Sequence, residues 1–380
     1  MTVPVRLVDR PETFRALLDE VAGAPLVALD TEAASFHRFH DRIYLVQLST
    51  RDLTAVIDPL GVGDLTPIGT LLADPAIETI FHDADYDLRL FDKEFGFRAK
   101  SLFDTRIAAQ FLNEPGIGLG ALLAKYFGVT ADKRFQRADW SARPLSGPML
   151  DYAAGDTVHL CELRDILLEQ LDALGRTEWV AEEFENLEKI RWTGGGEGPE
   201  TAFLRLKGSK ALQRRELAIL RELYNWREET SSRLDRASFR VLGNEVLFAL
   251  AQQPVQSLEE LGRVKGVGQE GAQRRGNEIL AAIARGLALP DRDLPRVERQ
   301  QRRVPDPAFE ARVEALKRRR NALAEELQLA PGVLCPNGTL EAIARAEPST
   351  LADMATIPEL RRWQVKVLGP ALLEATVATG

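Results

Sequence analysis

The sequence predicts an α/β domain built on a mixed sheet, followed by two all-helical domains. Short runs of branched residues alternate with amphipathic stretches through roughly the first 130 residues. A nearly unbroken helical pattern then fills 148–190. Two polar breaks, TGGGEGPE at 193–200 and LPDRDLPRVERQQRRVPDP at 289–307, divide the helical remainder. A chain of 380 residues exceeds the usual single domain, which agrees with two or three units.

In chain order, Pro11–Val21 reads as a helix and Leu26–Leu29, Ile43–Leu48 and Leu53–Ile57 as neighbouring strands with tight connections. Asp64–Leu72 is helical, Thr79–Phe81 a further strand, and Tyr86–Phe95, Asp104–Leu112 and Leu119–Phe127 helices. Helices packed on such strands give an α/β layer structure. Ser146 is placed to cap the 148–190 run, with Pro148 in its first turn. The resulting division is 1–192, a linker at 193–206, a helical domain at 207–288, a linker at 289–307 and a second helical domain at 308–380. The helical domains read as a diverged repeat, because QQPVQSLEELGRVKGVG at 252–268 aligns with AEPSTLADMATIPELRR at 346–362. In both, a proline precedes apolar residues three apart.

No apolar run approaches the roughly 20 residues of a bilayer span, and MTVPVRLVDR lacks a secretory h-region. Cys161 and Cys335 are too few for a disulfide framework or thiolate site. A cytoplasmic monomer is the expectation. The net charge of −8 conceals an asymmetry. Residues 1–199 carry 20 basic and 33 acidic side chains, and the remainder 29 and 24. An acidic half that gathers cations and a basic half that meets phosphates is one reading; two differently charged soluble domains is the other.

Three segments carry chemistry. The run LVALD ends at Asp30, and Glu32 lies two residues on, so both carboxylates point to one side of an extended chain. Such a pair suits a hard divalent cation, although strand ends often carry solvated acids. FHDADYDLRLF at 81–91 holds Asp83, Asp85 and Asp87 where a strand hands over to a helix. Capping explains acids there, but Asp87 lies far enough into the helix to face the sheet's end. LDYAAGDTVHL at 150–160 places Tyr152 and Asp156 four apart on one helical face, with His159 reading as an ordinary polar position.

Together these segments resemble the DEDD exonuclease superfamily, with its ribonuclease H-like fold. Asp30 and Glu32 match the first motif, Asp87 the second, and Tyr152 with Asp156 the third. DWSARPLSGPMLDYAAGDTVHL at 139–160 and SLFDTRIAAQFL at 101–112 are similar to the ribonuclease D form. Position 151 is Asp and 152 is Tyr, which is the tyrosine branch. Residues 210–288, with LRELYNWREE and GRVKGVG, resemble an HRDC domain; the last block resembles a second copy in which PELRRW stands where the first has KGVG.

The resemblance implies a 3′→5′ exoribonuclease that trims single-stranded 3′ ends of structured RNA such as transfer-RNA precursors. It implies two divalent cations, Mg²⁺ or Mn²⁺, since zinc normally recruits His or Cys. Phosphodiester hydrolysis places charge on the attacking, leaving and non-bridging oxygens, which cations about 3.5–4 Å apart offset. Asp30 would bridge the ions, Glu32 and Asp156 would serve the nucleophile side, and Asp87 the second ion. Tyr152, a phenol with a pKa near 10, would orient water rather than act as a strong base.

Candidate nucleic-acid contacts are Phe36 and His37, with Phe39 and His40 in the same loop, and Arg143, whose neighbours Trp140 and Pro144 also suit a structural turn. In the helical domains they are Arg214, Arg215, Lys265, Arg274 and Arg275, joined by the run Lys317–Arg320. These domains are expected to capture substrate more than to serve chemistry. A DNA-directed exonuclease of the same fold is one alternative. The other is a non-catalytic RNA-binding relative, whose mark would be a lost carboxylate; none is lost.

Overall fold

The computed structural model describes residues 5–194, 198, 200–297 and 306–377, so both breaks expected at 193–200 and 289–307 lie partly outside the described residues. The first unit runs β1 (Val5–Val8), α1 (Pro11–Val21), β2 (Leu26–Ala33), β3 (Ile43–Ser49), β4 (Thr54–Ile57), α2 (Pro59–Val62), α3 (Thr66–Ala73), β5 (Glu78–Phe81), α4 (Asp85–Phe95), β6 (Leu102–Asp104), α5 (Thr105–Phe111), α6 (Leu119–Phe127), α7 (Gly147–Gly155), α8 (Leu160–Ala173) and α9 (Thr177–Leu187). The sheet order is β1-β4-β3-β2-β5-β6. β2, β3 and β4 pair antiparallel, while β1 on β4 and β5 and β6 beyond β2 are parallel. This is the mixed sheet that the alternating pattern predicts.

Two strands escaped the sequence reading. β1 is a four-residue edge strand carrying Arg6, and β6 has only three residues, too few for an alternation to register. The continuous helix expected over 148–190 is three helices. The chain leaves α7 at Asp156, turns through Thr157–His159, and turns again at Leu174–Arg176. Ser146 occupies the N-cap position of α7 with no side-chain bond to the helix, so its expected capping role is not realised.

The second unit comprises α10 (Arg214–Leu234), α11 (Ser238–Val241), α12 (Asn244–Gln252), α13 (Leu258–Arg263) and α14 (Gly268–Ala288). The third repeats this order as α15 (Pro307–Glu326), α16 (Pro331–Leu334), α17 (Asn337–Ala346), α18 (Leu351–Met354) and α19 (Arg362–Val377). A shared internal bond marks the duplication. Arg227 donates to the Leu242 carbonyl and to Asn244; Arg320 donates to the Cys335 carbonyl and to Asn337. Each arginine is almost fully buried, and each acceptor pair has the same spacing. The residue closing the run Lys317–Arg320 therefore points inward. Ser257 before α13 and Thr350 before α18 play the same part in the two copies: each caps a short helix by accepting from a backbone N–H three residues on.

The copies diverge where KGVG gives way to PELRR. In the first, Gly266 and Gly268 take φ of +93° and +66°, a turn that side chains disfavour. In the third unit the corresponding stretch docks on α9. Glu182 accepts the backbone N–H groups of Arg362 and Trp363 at 2.8 and 3.0 Å, capping α19 from outside its own domain. Arg361 pairs with Glu183, and Trp363 stacks on Trp179 at 5.1 Å with Phe111 edge-on at 5.4 Å. One continuous apolar core thus joins the sheet unit to the third unit, whereas the second has a core of its own. Among the described residues, no helix is long and apolar enough to cross a membrane.

Candidate active site

β2 carries Asp30 and Glu32 on one face, opposite Gln47 and Leu45 of antiparallel β3. A register shift follows Glu32, and Ala33 then pairs with Ile43 at the end of the strand. α7 covers this face: Ala153 and Ala154 pack with Leu45, Val56 and Trp140. It delivers Tyr152 and, at its C-cap, Asp156. Carboxylate oxygens of Asp30, Glu32 and Asp156 all lie within 4.8 Å of one another.

Asp87, in the first turn of α4, is buried and accepts a hydrogen bond from the Thr31 hydroxyl, between the two acids of β2. The other two acids of its segment go elsewhere: Asp83 pairs with Arg106 at 2.8 Å, and Asp85 with Arg89 at 2.7 Å. Their surface pairing is the ordinary one, while Asp87 alone turns inward.

The acids repel one another. Burial, then Asp87, Asp156 and Glu32, hold the Asp30 carboxyl well above the usual carboxylate range. Burial together with Asp156 and Asp87 pushes Glu32 up to about 9. Burial raises Asp156 to about 7, and it raises Asp87 to about 7 against the bond from Thr31. Burial and the facing carboxylates also raise the Tyr152 phenol, which therefore stays protonated near neutral pH. The oxygens of Asp30, Glu32 and Asp156 form an all-carboxylate donor set that fits a hard divalent cation; Asp87, bonded to Thr31, stands outside this group of three.

Supporting residues escaped the sequence reading because their roles depend on distant contacts. Thr157, directly after Asp156, shares a hydroxyl bond of 2.8 Å with Ser49 and so ties the α7–α8 turn to β3. Asp104 caps α5 and accepts the Ala84 N–H at 2.8 Å, fixing the turn that leads to Asp87. Gln47 is fully buried opposite Asp30, with neither carboxamide atom hydrogen-bonded among the described residues. Its one visible signal is a polar side chain inside the apolar run IYLVQLS.

Arg143 takes the structural option. Its guanidinium grips Asp58 at 2.5 and 2.9 Å and donates to the carbonyls of Tyr44, Trp140 and Ala142. The adjoining Arg143–Pro144 peptide is cis. This clasp holds the loop whose Phe135 and Trp140 lie 5.9 Å from the Tyr152 ring.

Of the other contact candidates, Phe36 is exposed, and His37 lies 3.0 Å from the Arg137 carbonyl. Phe39 and His40 donate backbone N–H groups to Asp235 of the second unit. Arg214 and Arg215 bond carbonyls at the end of α14 and just beyond, which makes them clamps of the second unit. Arg274 pairs with Glu270 and lines one groove with Arg275, while Lys265 directly precedes Gly266 of the glycine turn.

A mixed sheet with this acidic cluster at the end of its central strands, and a tyrosine beside it, defines the chain as a 3′→5′ exonuclease of the DEDD type. Residues 5–172 match the family model for a 3′-5′ exonuclease, and 216–283 and 309–376 each match the HRDC domain. The chain is 33% identical over 371 residues to ribonuclease D of Gluconacetobacter diazotrophicus, covering 97% of this chain and 91% of that one. Escherichia coli RNase D, described as an exoribonuclease involved in structured RNA processing, superposes with a TM-score of 0.71 at 26% identity over 99% of both chains. The catalytic core of RRP6 from Trypanosoma brucei gives 0.69 at 27% identity, over 76% of this chain and 81% of that one. The chain belongs to the ribonuclease D family: it is a 3′→5′ exoribonuclease whose fold works with divalent metal ions.

Proposed function

We propose that this enzyme trims single-stranded 3′ ends of structured RNA, transfer-RNA precursors among them. Asp30, Glu32, Asp87 and Asp156 hold two Mg²⁺ or Mn²⁺ ions, and Tyr152 orients the attacking water. The observation that carries this reading is the convergence of Asp30, Glu32 and Asp156 oxygens within 4.8 Å, on the face that α7 covers with Tyr152. When bound, the cations offset charge on the phosphate and lower the pKa of water.

The chain's own residues do the rest. The carboxylates gather cations whose charge relieves their mutual repulsion. The protonated Tyr152 hydroxyl donates or accepts one hydrogen bond and so fixes the direction from which water approaches. Trp140 and Phe135 hold its ring. The description of the Escherichia coli relative supports structured RNA as substrate. The reading includes a cytoplasmic monomer with the division 1–192, 207–288 and 308–380, joined by linkers at 193–206 and 289–307.

The test uses matched 5′-labelled RNA and DNA oligomers with a single-stranded 3′ tail, in Mg²⁺, Mn²⁺ or EDTA. Stepwise shortening of RNA from the 3′ end in either metal, with DNA processed much more slowly, is the expected result. Equal or faster shortening of DNA would replace this reading with the DNA-directed one.

A further inference from the structure

Two exposed aromatic rings meet where the sheet unit touches the second unit. Phe36, four residues after Glu32, is 42% exposed, and Phe239 at the start of α11 is 53% exposed. Their rings lie 6.4 Å apart, edge to face. A guanidinium lies over each: Arg137 is 5.1 Å from the Phe36 ring and Arg240 is 5.8 Å from the Phe239 ring. The junction is locked by hydrogen bonds to backbone carbonyls. Arg240 Nε donates to the Phe36 carbonyl at 2.6 Å, and the Ala237 N–H donates to the His37 carbonyl at 3.1 Å. Rings that served only to glue the units together would be covered; these are half open to solvent.

From Arg240 the surface continues into a groove of about 230 Å³, where Arg236, Arg274 and Arg275 also line the wall. Its positive charges are crowded. Glu270 answers Arg274, while burial and the neighbours Arg236 and Arg274 disfavour the charge on Arg275. A phosphate placed there would relieve that repulsion. On the other side, Arg137 belongs to the loop that carries Phe135 and Trp140 against Tyr152. Arg240 thus joins the rings to the groove, and Arg137 joins them to the loop beside Tyr152.

We infer that Phe36 and Phe239, flanked by Arg137 and Arg240, form a two-domain stacking platform for the single strand just upstream of the scissile bond. Arg236, Arg274 and Arg275 hold the phosphates that follow. Every base has a π-face, so the platform accepts any sequence. It makes processing depend on how much unpaired strand stands behind the 3′ end. This inference rests on the reading of the chain as a nuclease of single-stranded RNA ends, and it assigns to Phe239 and Arg240 a role that the sequence alone did not reveal.

The experiment compares full-length wild type, Phe239→Ala, Phe239→Tyr and Arg275→Gln. Binding of a 5′-labelled twelve-nucleotide RNA in EDTA is followed by fluorescence anisotropy over a salt series. The ratio of kcat/KM for that RNA to kcat/KM for a trinucleotide is measured with metal. Phe239→Ala should weaken twelve-nucleotide binding about 5- to 150-fold, the effect of losing one stacked base. It should also lower the kcat/KM ratio, while Phe239→Tyr stays near wild type. Arg275→Gln should flatten the logarithmic salt slope by about 0.7. Unchanged binding by Phe239→Ala, or an equal loss at both lengths, would overturn the platform and leave the ring as packing. A wild type that binds RNA through Phe239 yet never shortens it would instead overturn the exonuclease reading and leave the platform standing.

Discussion

Tyr152 is held by its ring, while the role proposed for it lies in its hydroxyl, so the two parts can be separated by substitution. Tyr152→Phe keeps the contacts with Trp140 and Phe135 and every carboxylate. Its single-turnover rate on one RNA oligomer should fall about 10²–10⁴-fold, with binding little changed. Tyr152→His should not restore it, because the histidine branch carries its ring one position earlier, and one residue turns a helix by about 100°. A Phe variant at the wild-type rate would reduce Tyr152 to packing. Gln47 poses the opposite question. An unpartnered buried amide costs about 1–3 kcal/mol, so Gln47→Leu should leave the metal-free protein as stable or more so. If the amide serves the acids opposite it, the same variant should bind Mn²⁺ at least about tenfold more weakly by calorimetry. Unchanged affinity would leave the amide without a role. Asp30, Glu32, Asp87, Tyr152 and Asp156 were legible as candidates because each belongs to a short local motif. Gln47, Thr157 and Asp104 were not, because their neighbours are brought in from elsewhere in the chain.

Among the elements, the strands and helices of the first 130 residues were legible from their apolar periods, apart from the short strands β1 and β6 and the one-turn helix α2. The breaks within 148–190 were hidden because Asp156–His159 and Leu174–Arg176 contain no proline, and the single glycine at 175 leaves the apolar period intact. The first break matters most, since it lets Thr157 reach Ser49 while Asp156 stays with the acids of β2. The loop before α7 is set by the Arg143 clasp. Asp58 is 7% exposed, so Arg143→Ala strands a buried carboxylate. The loss should be about 3 kcal/mol in chemical denaturation, accompanied by a lower kcat as Trp140 shifts against Tyr152. The salt dependence of RNA binding should be unchanged. A flatter salt slope without loss of stability would mark Arg143 as a phosphate contact after all.

At the scale of the whole molecule, the third unit braces the sheet unit. The repeat was legible from its apolar spacing, but the use of PELRR became visible only with α9 beside it. Removing residues 201–380 is therefore expected to do more than weaken substrate capture, because it uncovers Trp179 and Phe111 and strips the shared core. The brace also has a pH signature. Burial raises the Glu182 carboxyl, but the bonds from Arg362 and Trp363 outweigh it and leave the pKa below its usual value. A depressed carboxyl contributes stability that is complete above the unfolded pKa and is lost as pH falls through the folded one. Tryptophan fluorescence should report loosening of the Trp179–Trp363 stack on acidification below about pH 4, and Glu182→Gln should remove much of that dependence. A stack indifferent to both would exclude Glu182 as the latch. The acidic cluster behaves in the other sense. A carboxyl whose folded pKa is raised opposes folding once the pH exceeds its unfolded value, near 3.9 for Asp, so metal-free Asp30→Asn should be at least as stable as wild type at neutral pH. Single-turnover shortening of a 5′-labelled RNA by folded Asp30→Asn, in Mg²⁺ or Mn²⁺, is the most direct test of the active site. Loss of stepwise 3′-end removal to background is the predicted result, and near-normal metal-dependent turnover would contradict the assignment of the acidic cluster.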